Sequence, residues 1–542
     1  MRQLEDTPTR TPAAAGAAAP WWAAVLAGVL AAAVALAAGE LVAGLLTAPS
    51  PVVAVGDRVI DLAPPAVKDA AIALFGTADK VALVIGILIL AAAFGAGLGI
   101  AAARRFAAGA AGLGLFAALG VLAALQDAQS SLPQAVFPSV AGAAAGILTL
   151  RRALPAPQSA PVTLAPAPAA PPRPAADSPA PAPSGGFDRR MFLRRSATLG
   201  AVALVASVSG RWLQTRANAA ASRAQAVLGR PVQPLPPVPA SADLGVRGLS
   251  PFITPNSDFY RIDTALRVPQ VATEGWRLGI TGMVDRPLTL TYEQLQSRKL
   301  VEADITLACV SNEVGGNLIG NARWLGVRLD DLLAEAGVHD GATQIVGRAV
   351  DGFTVGFPTE VGLDGRDALV AIGMNGEPLP VEHGFPARLV VPGLYGYVSA
   401  TKWLTEIELT TLEAFDAYWV PRGWAKQAPI KTQSRIDVPS PFGEIPPGPT
   451  AVAGVAWAPT RGIEGVEVQV DDGPWAQARL ADEAGGDTWR QWIYEWDAPA
   501  GQHRLRVRAT DGTGQTQTDE RAPPAPDGAT GWHSVVVSVE ET

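Results

Sequence analysis

The hydrophobic rhythm of the chain changes twice along its length. Before about residue 152, Trp21 to Leu46, Val81 to Ala103, Phe106 to Leu125 and about Leu132 to Leu150 are nearly continuous apolar stretches. Most are close to the roughly 20 residues that a helix needs to cross a bilayer. The last is short and contains Pro133 and Pro138. Gly and Ala are frequent in all four, as in closely packed membrane helices. Ala153 to Gly186 is rich in Pro, Ala and Ser with few large apolar side chains. That composition builds no core and predicts a flexible, partly extended linker. A further apolar run, Ala197 to Val208, follows. After residue 240 the pattern becomes that of a globular protein. Asp330 to Gly337 reads as a helix with a glycine stop, and Arg388 to Pro392 as a strand ending at proline. Beyond Ser440, apolar and polar positions alternate in Ala451 to Trp457, Val466 to Val470, Trp489 to Trp496, His503 to Ala509 and His533 to Val539. Turns at Asp472-Gly473, Ala500-Gly501 and Asp511-Gly512 separate them, which predicts an antiparallel sandwich.

Charge orients the apolar part. Arg2 and Arg10 precede the first stretch, Arg104 and Arg105 join the second to the third, and Arg151 and Arg152 follow the fourth. The loop from Thr47 to Lys80 carries Asp57, Asp61, Asp69 and Asp79 with few cations. Positive residues stay inside, so both ends of this bundle are expected in the cytoplasm. Glu40 falls within the first stretch, where a carboxylate is costly; a functional group and a snorkelling side chain are both open readings. Asp188-Arg189-Arg190-Met191-Phe192-Leu193-Arg194-Arg195, ahead of the fifth apolar run, resembles a twin-arginine export signal. A basic anchor before an ordinary fifth span fits the charges, whereas Phe192 and Leu193 at their offsets favour the signal. Ala217-Asn218-Ala219 resembles a cleavage site, and an uncleaved internal signal would remain as an anchor.

A net charge of -8 and the lack of a basic stripe exclude a nucleic-acid binder. No phosphate-binding loop or His-Glu-x-x-His motif occurs. Cys309 is the one cysteine of 542 residues. One thiol rules out an intramolecular disulfide, a thiolate zinc cage and a cysteine-held iron–sulfur cluster. A buried inert thiol, a nucleophile, or one thiolate given to a metal remain.

Five separated motifs bear on that choice. Ile253-Thr254-Pro255-Asn256-Ser257-Asp258-Phe259-Tyr260-Arg261 comes first, then Trp276 to Gly282 leading into Pro287 to Thr291. Thr306-Leu307-Ala308-Cys309-Val310-Ser311-Asn312 and Ala322-Arg323-Trp324-Leu325-Gly326-Val327-Arg328-Leu329 follow. The longest runs from Met374-Asn375-Gly376 through Glu382-His383-Gly384-Phe385-Pro386-Ala387-Arg388 to Gly393, continuing to Lys402-Trp403. In this order they resemble the molybdopterin domain of the sulfite oxidase superfamily. The resemblance implies that Cys309 ligates molybdenum beside the dithiolene sulfurs of one pterin; a soft thiolate suits such a centre. It also implies that Arg261 stands beside the metal, that His383, Arg388 and Lys402 contact the pterin or its phosphate, and that Asn256, Tyr260 and Asn312 belong to the same cofactor-binding shell.

The expected architecture is therefore multidomain. It comprises an N-terminal α-helical membrane bundle (1–152), a linker (153–187), a twin-arginine-like signal or fifth span (188–213), an α+β sulfite-oxidase-like molybdopterin domain (240–425) and a C-terminal immunoglobulin-like β-sandwich (440–542). The family resemblance makes the sandwich a dimerisation domain. The function implied is oxygen-atom transfer on molybdenum-molybdopterin at an extracytoplasmic site of a multi-pass plasma-membrane protein. A sulfoxide reductase on the same cofactor and a metal-free membrane-tethered binding protein are the alternatives.

Departures from the family pattern leave the substrate open. Glu313 and Val314 follow Asn312 where the family usually has two arginines. Ile372 aligns with the tyrosine of true sulfite oxidases, and Ile262 with Asp263 replace an Asn-His pair. The four histidines, His339, His383, His503 and His533, all lie outside the apolar stretches, so no haem is expected there. The electron partner is then a separate protein, quinone-linked or a cytochrome.

Overall fold

The computed structural model describes residues 20–46, 48, 50–64, 67, 74–75, 79–126, 130–154, 189–215 and 219–541. Nearly all of the expected linker lies outside them, as do Arg2, Arg10, Asp69, Asp188, Ala217 and Asn218. The chain divides into two compact units, Met1–Thr215 and Arg216–Thr542.

In the first unit five helices are long and apolar enough to cross a membrane: Trp21–Leu45, Val81–Arg104, Phe106–Ala124, Leu132–Ala153 and Arg189–Gly210. Pro133 occupies the first turn of its helix, where no intrahelical hydrogen bond is lost, and Pro138 lies inside the same helix. The first helix carries a face of small residues against its neighbours. A Cβ on Gly28 would lie 2.0 Å from the Gly95 carbonyl, and one on Gly44 would lie 2.5 Å from that of Gly210. Glycine at these crossings is what lets the backbones approach so closely. Glu40 is buried there and accepts a hydrogen bond from the Ser50 hydroxyl.

Two sheets build the cofactor-motif region of the second unit. One has the order β2-β1-β10-β5-β6, formed by β1 (Arg277–Gly282), β2 (Leu288–Thr291), β5 (Gln344–Ala349), β6 (Thr354–Pro358) and β10 (Leu404–Thr410). Only β1 and β10 run parallel in it. The other sheet has the order β3-β4-β7-β8, formed by β3 (Leu300–Ala308), β4 (Ile319–Arg328), β7 (Leu369–Met374) and β8 (Glu377–Pro378), with β9 (Arg388–Val390) also paired to β7. The helix Leu329–Ala336 follows β4 and ends at Gly337, whose φ of 73° makes the left-handed cap its sequence predicts.

Beyond these sheets lies a two-sheet sandwich. Its first sheet runs β11-β13-β17-β16, from β11 (Gln433–Val438), β13 (Gly448–Trp457), β16 (Arg479–Leu480) and β17 (Arg490–Ala498). The second runs β12-β19-β18-β14-β15, from β12 (Glu444–Ile445), β14 (Ile463–Val470), β15 (Trp475–Gln477), β18 (Gly501–Asp511) and β19 (His533–Val539). Val452 and Trp492 from one sheet pack on Val466, Leu505 and Val535 from the other. Every strand expected from alternation is present. Four, β11, β12, β15 and β16, carry no alternating signal and are found only in the structure.

Trp489 ties the sandwich to the first motif region. Its indole N–H donates to the Phe252 carbonyl at 2.8 Å, and its backbone N–H to the Thr306 hydroxyl at 2.7 Å. Because Asn321 Nδ2 also donates to the Phe252 carbonyl, that oxygen keeps a partner when the indole is removed. Trp489→Phe is therefore expected to cost about 1–3 kcal/mol, most of it from the gap the smaller ring leaves in the core, read as a shift of the urea midpoint at unchanged slope.

Candidate active site

The cysteine sits where one strand ends. The last four residues of β3 are all buried, and Cys309 follows them immediately. Its N–H donates to the Leu318 carbonyl at 2.9 Å and closes the loop that leads into β4. Asn312 organises that loop: its N–H donates to the Cys309 carbonyl at 3.0 Å, and its Oδ1 accepts from Leu318 N–H at 2.8 Å. The thiol is 7% exposed and lines a cleft of about 750 Å³, part of it open solvent. Burial pushes the thiol pKa up, while hydrogen bonds from Ser311 and the charge of Lys402 pull the other way.

The Met-Asn-Gly motif is a tight turn between β7 and β8. Asn375 and Gly376 both have positive φ, 51° and 80°, which suits the two central residues of a hairpin turn twisted like its strands. Asn256 locks it, accepting from Asn375 Nδ2 at 2.8 Å and donating to Glu377 Oε1 at 2.5 Å. The backbone carbonyl of Asn256 accepts from His383 Nε2 at 3.0 Å, which leaves Nδ1 as the imidazole's acceptor. His383 is 3% exposed. Burial, then the charges of Arg388 and Lys402, bring its pKa down to about 4, so the ring is neutral at neutral pH.

Two cations face the same cleft. Arg388 is 5% exposed; it donates to the His383 carbonyl at 3.1 Å and its guanidinium stands 5.0 Å from the Trp324 ring centre. Among the described residues no carboxylate pairs with it, and burial lowers its pKa to about 10. Lys402 reaches Asp263 Oδ2 at 3.2 Å; burial lowers its pKa to about 8, against the pull of Asp263. Tyr260 also lines the cleft, stacked on Phe259, and burial raises its pKa so that the phenol stays protonated.

The cleft thus brings together Cys309, Tyr260, His383, Arg388 and Lys402. Asn256 and Asn312 stand behind it, holding the turn and the loop. Arg261 does not line it: its side chain is 41% exposed, and its Nε donates to Asp263 at 2.8 Å. Ile372 is fully buried in the core and does not line the cleft either, so its lack of a hydroxyl does not bear directly on the cleft wall. Sequence reasoning missed Asp351, Phe353, Tyr397 and Trp419 as lining residues and read Asp263 only as a lost cation. Asp351-Gly352 signals a turn, and nothing in the local pattern says that the turn borders a cleft.

The donor set fits a molybdopterin. Arg388 is a buried charge without an acidic partner among the described residues, a costly arrangement that an anionic ligand relieves. A single thiol faces the same space. No group of three or more His, Cys, Asp or Glu side chains able to hold a metal occurs among the described residues, so further sulfur donors would come from the cofactor.

Residues 265–419 match the family model of the oxidoreductase molybdopterin binding domain. An uncharacterized oxidoreductase of Bacillus subtilis, YuiH, is 36% identical over 149 residues, 28% of this chain and 72% of its own length. The chain belongs to the sulfite oxidase family of molybdopterin-dependent oxidoreductases. Mitochondrial sulfite oxidase of Mus musculus is 30% identical over 321 residues, 50% of this chain and 58% of that protein. The chain therefore spans little more than half of that family member. Among solved structures, the sulfane dehydrogenase SoxCD of Paracoccus pantotrophus has 26% identity and a TM-score of 0.47, covering 58% of this chain and 91% of that one.

Proposed function

We propose that this family member is a membrane-anchored oxygen-atom-transfer enzyme working outside the cytoplasm, with Cys309 as its molybdenum ligand. The observation that carries the reading is the buried Arg388, with no carboxylate partner among the described residues, facing the same cleft as the only thiol. Molybdenum held by the pterin would supply the two-electron chemistry of oxygen-atom transfer. Arg388 and Lys402 would bind the pterin and its phosphate through donors held in place by neighbouring carbonyls and Asp263, while neutral His383, whose N–H is spent on the Asn256 carbonyl, would offer Nδ1 as an acceptor to a pterin N–H. Tyr260, protonated and buried, offers a hydroxyl donor inside the cleft. Arg261 and Asp263 form an ion pair, and Asp263 holds Lys402 as well, so less positive charge is left for a substrate anion.

Sulfite should consequently be a poor substrate. Losing one or two charge-assisted hydrogen bonds, each about 1.5–3 kcal/mol, lowers kcat/KM by roughly 10–20,000-fold relative to mouse sulfite oxidase. Molybdenum and pterin analysis of purified protein, followed by a screen of sulfite and sulfoxides with artificial electron acceptors and donors, tests this. A metal-loaded protein turning over sulfite at the mouse enzyme's rate would overturn the substrate argument, and protein free of metal after maturation in a molybdenum-competent host would favour the binding-protein alternative.

Five spans and the twin-arginine pattern together support an extracytoplasmic site, reached by export after cofactor insertion. Substituting Arg189 and Arg190 by Lys should strand the region from Ala240 onward in the cytoplasm while the first four spans still insert. Protease accessibility from outside decides it; unchanged accessibility would favour an ordinary fifth span. Electrons would pass to a separate quinone-linked protein or cytochrome, without haem in this chain. The sandwich, placed after the cofactor domain as in the family, would be immunoglobulin-like and form a homodimer.

A further inference from the structure

The loop that carries Cys309 is held from two sides. Its inner bonds, described above, come from Asn312 and Leu318. Its outer side rests on the C-terminal sandwich. Arg435, on β11, donates from Nη1 to the Gly316 carbonyl at 2.7 Å. The remaining guanidinium nitrogens are engaged too: Nη2 donates to Ser250 Oγ at 2.8 Å and Nε to Asp437 Oδ1 at 2.6 Å. Asp437 is anchored in turn by Ser250 N–H at 3.0 Å. A fork with every arm bonded has no freedom to swing, so it fixes the carbonyl it holds.

Next to it, the His533 ring occupies the space beside Gly315. A Cβ at that position would lie 2.2 Å from the ring's Cδ2, and the φ of Gly315 is 81°, so only glycine passes there. The ring itself is held because its Nδ1 accepts from Ile436 N–H at 2.9 Å. The sandwich also grips the strand before the loop. Thr306, three residues ahead of Cys309, donates its N–H to the Asp487 carbonyl at 2.9 Å and accepts at its hydroxyl from Trp489 N–H. Contacts from Thr306 through Gly316 therefore bracket the cysteine in sequence.

We propose that Arg435 and His533 are positioning residues for the Cys309 thiol, so that the C-terminal sandwich, beyond any part in assembly, sets the geometry of the metal-binding loop. The step to metal rests on the molybdenum reading above; the bracing of the loop does not. Neither residue touches the cleft. Their effect runs through the loop backbone.

The single thiol makes the test direct. In full-length protein matured without cofactor, alkylation of Cys309 by iodoacetamide at neutral pH reports how well the loop is held, and amide exchange over residues 310–318 reports the same. Arg435→Met is expected to raise the alkylation rate roughly 10-fold or more, as expected when the loop loses one hydrogen bond from a charged group. Arg435→Lys should restore only part of that protection, since lysine supplies charge without the fork. Should Arg435→Met fail to fold, His533→Ala carries the same test. In cofactor-loaded protein, the same variants should lower the molybdenum-to-pterin ratio. Unchanged thiol reactivity and exchange in both variants would overturn the proposal, as would a rise in exchange spread evenly over the sandwich. A wild type that never loads metal would sink the molybdenum reading while the alkylation rates still decide the brace.

Discussion

Cys309→Ser is expected to strip the protein of nearly all its molybdenum and more than roughly 100-fold of its turnover, beyond the 10–100-fold typical of an outer-shell change. The fold should survive. Serine is close in size, and the position already has hydroxyl and amide neighbours in Ser311. What changes is the donor. A thiolate is soft and matches a sulfur-rich centre, whereas an alkoxide is hard and far more basic. Burial disfavours the free thiolate at this position, so a bound cation is what would keep it ionised. Metal analysis and turnover should fall together while the thermal midpoint moves little. Full metal content together with wild-type turnover in Cys309→Ser would remove the cysteine from the ligand set.

Much of the site was legible because its motifs coincide with local backbone needs. Asn375-Gly376 is an extended-family motif and also the pair that a tight hairpin turn requires, so its place could be anticipated from either direction. Helix Leu329–Ala336 and strand β19 announce themselves by periodicity and glycine. β11 did not. Its residues Gln433, Ser434 and Arg435 are polar yet buried, because they face other polar groups instead of solvent: Gln433 bonds the Ala529 carbonyl, Ser434 bonds Gln517, and Arg435 bonds Gly316. A strand that buries satisfied polar groups breaks the alternation on which sequence reading depends. Asp263 was hidden for a related reason. Its role is set by Arg261 and Lys402, and Lys402 is 139 residues away in sequence. Arg261 shows the converse, since a residue placed by motif turns toward a carboxylate two positions on instead of into the cleft.

Arg388→Met should separate stability from cofactor retention, moving them in different directions. In the cofactor-free protein the guanidinium is a buried charge whose partners are the His383 and Leu389 carbonyls and the face of Trp324. Replacing a buried charge by a side chain of similar length and no charge is often neutral or stabilising. Two carbonyls lose a donor, which offsets part of that gain at about 1 kcal/mol each. The cofactor-free variant is therefore expected to unfold within about 1 kcal/mol of wild type, or slightly later. With cofactor the balance reverses. Removing one side of a desolvated charge pair costs about 2–5 kcal/mol of binding, more than roughly 10-fold in affinity. Pterin content after maturation and dialysis should fall accordingly, and Arg388→Lys should recover only part of it because lysine lacks the planar fork. The measurement pairs denaturant unfolding of cofactor-free protein with pterin quantification of loaded protein. A variant that loses several kcal/mol of stability yet keeps its pterin would make Arg388 a structural residue and leave the anion-binding role to Lys402.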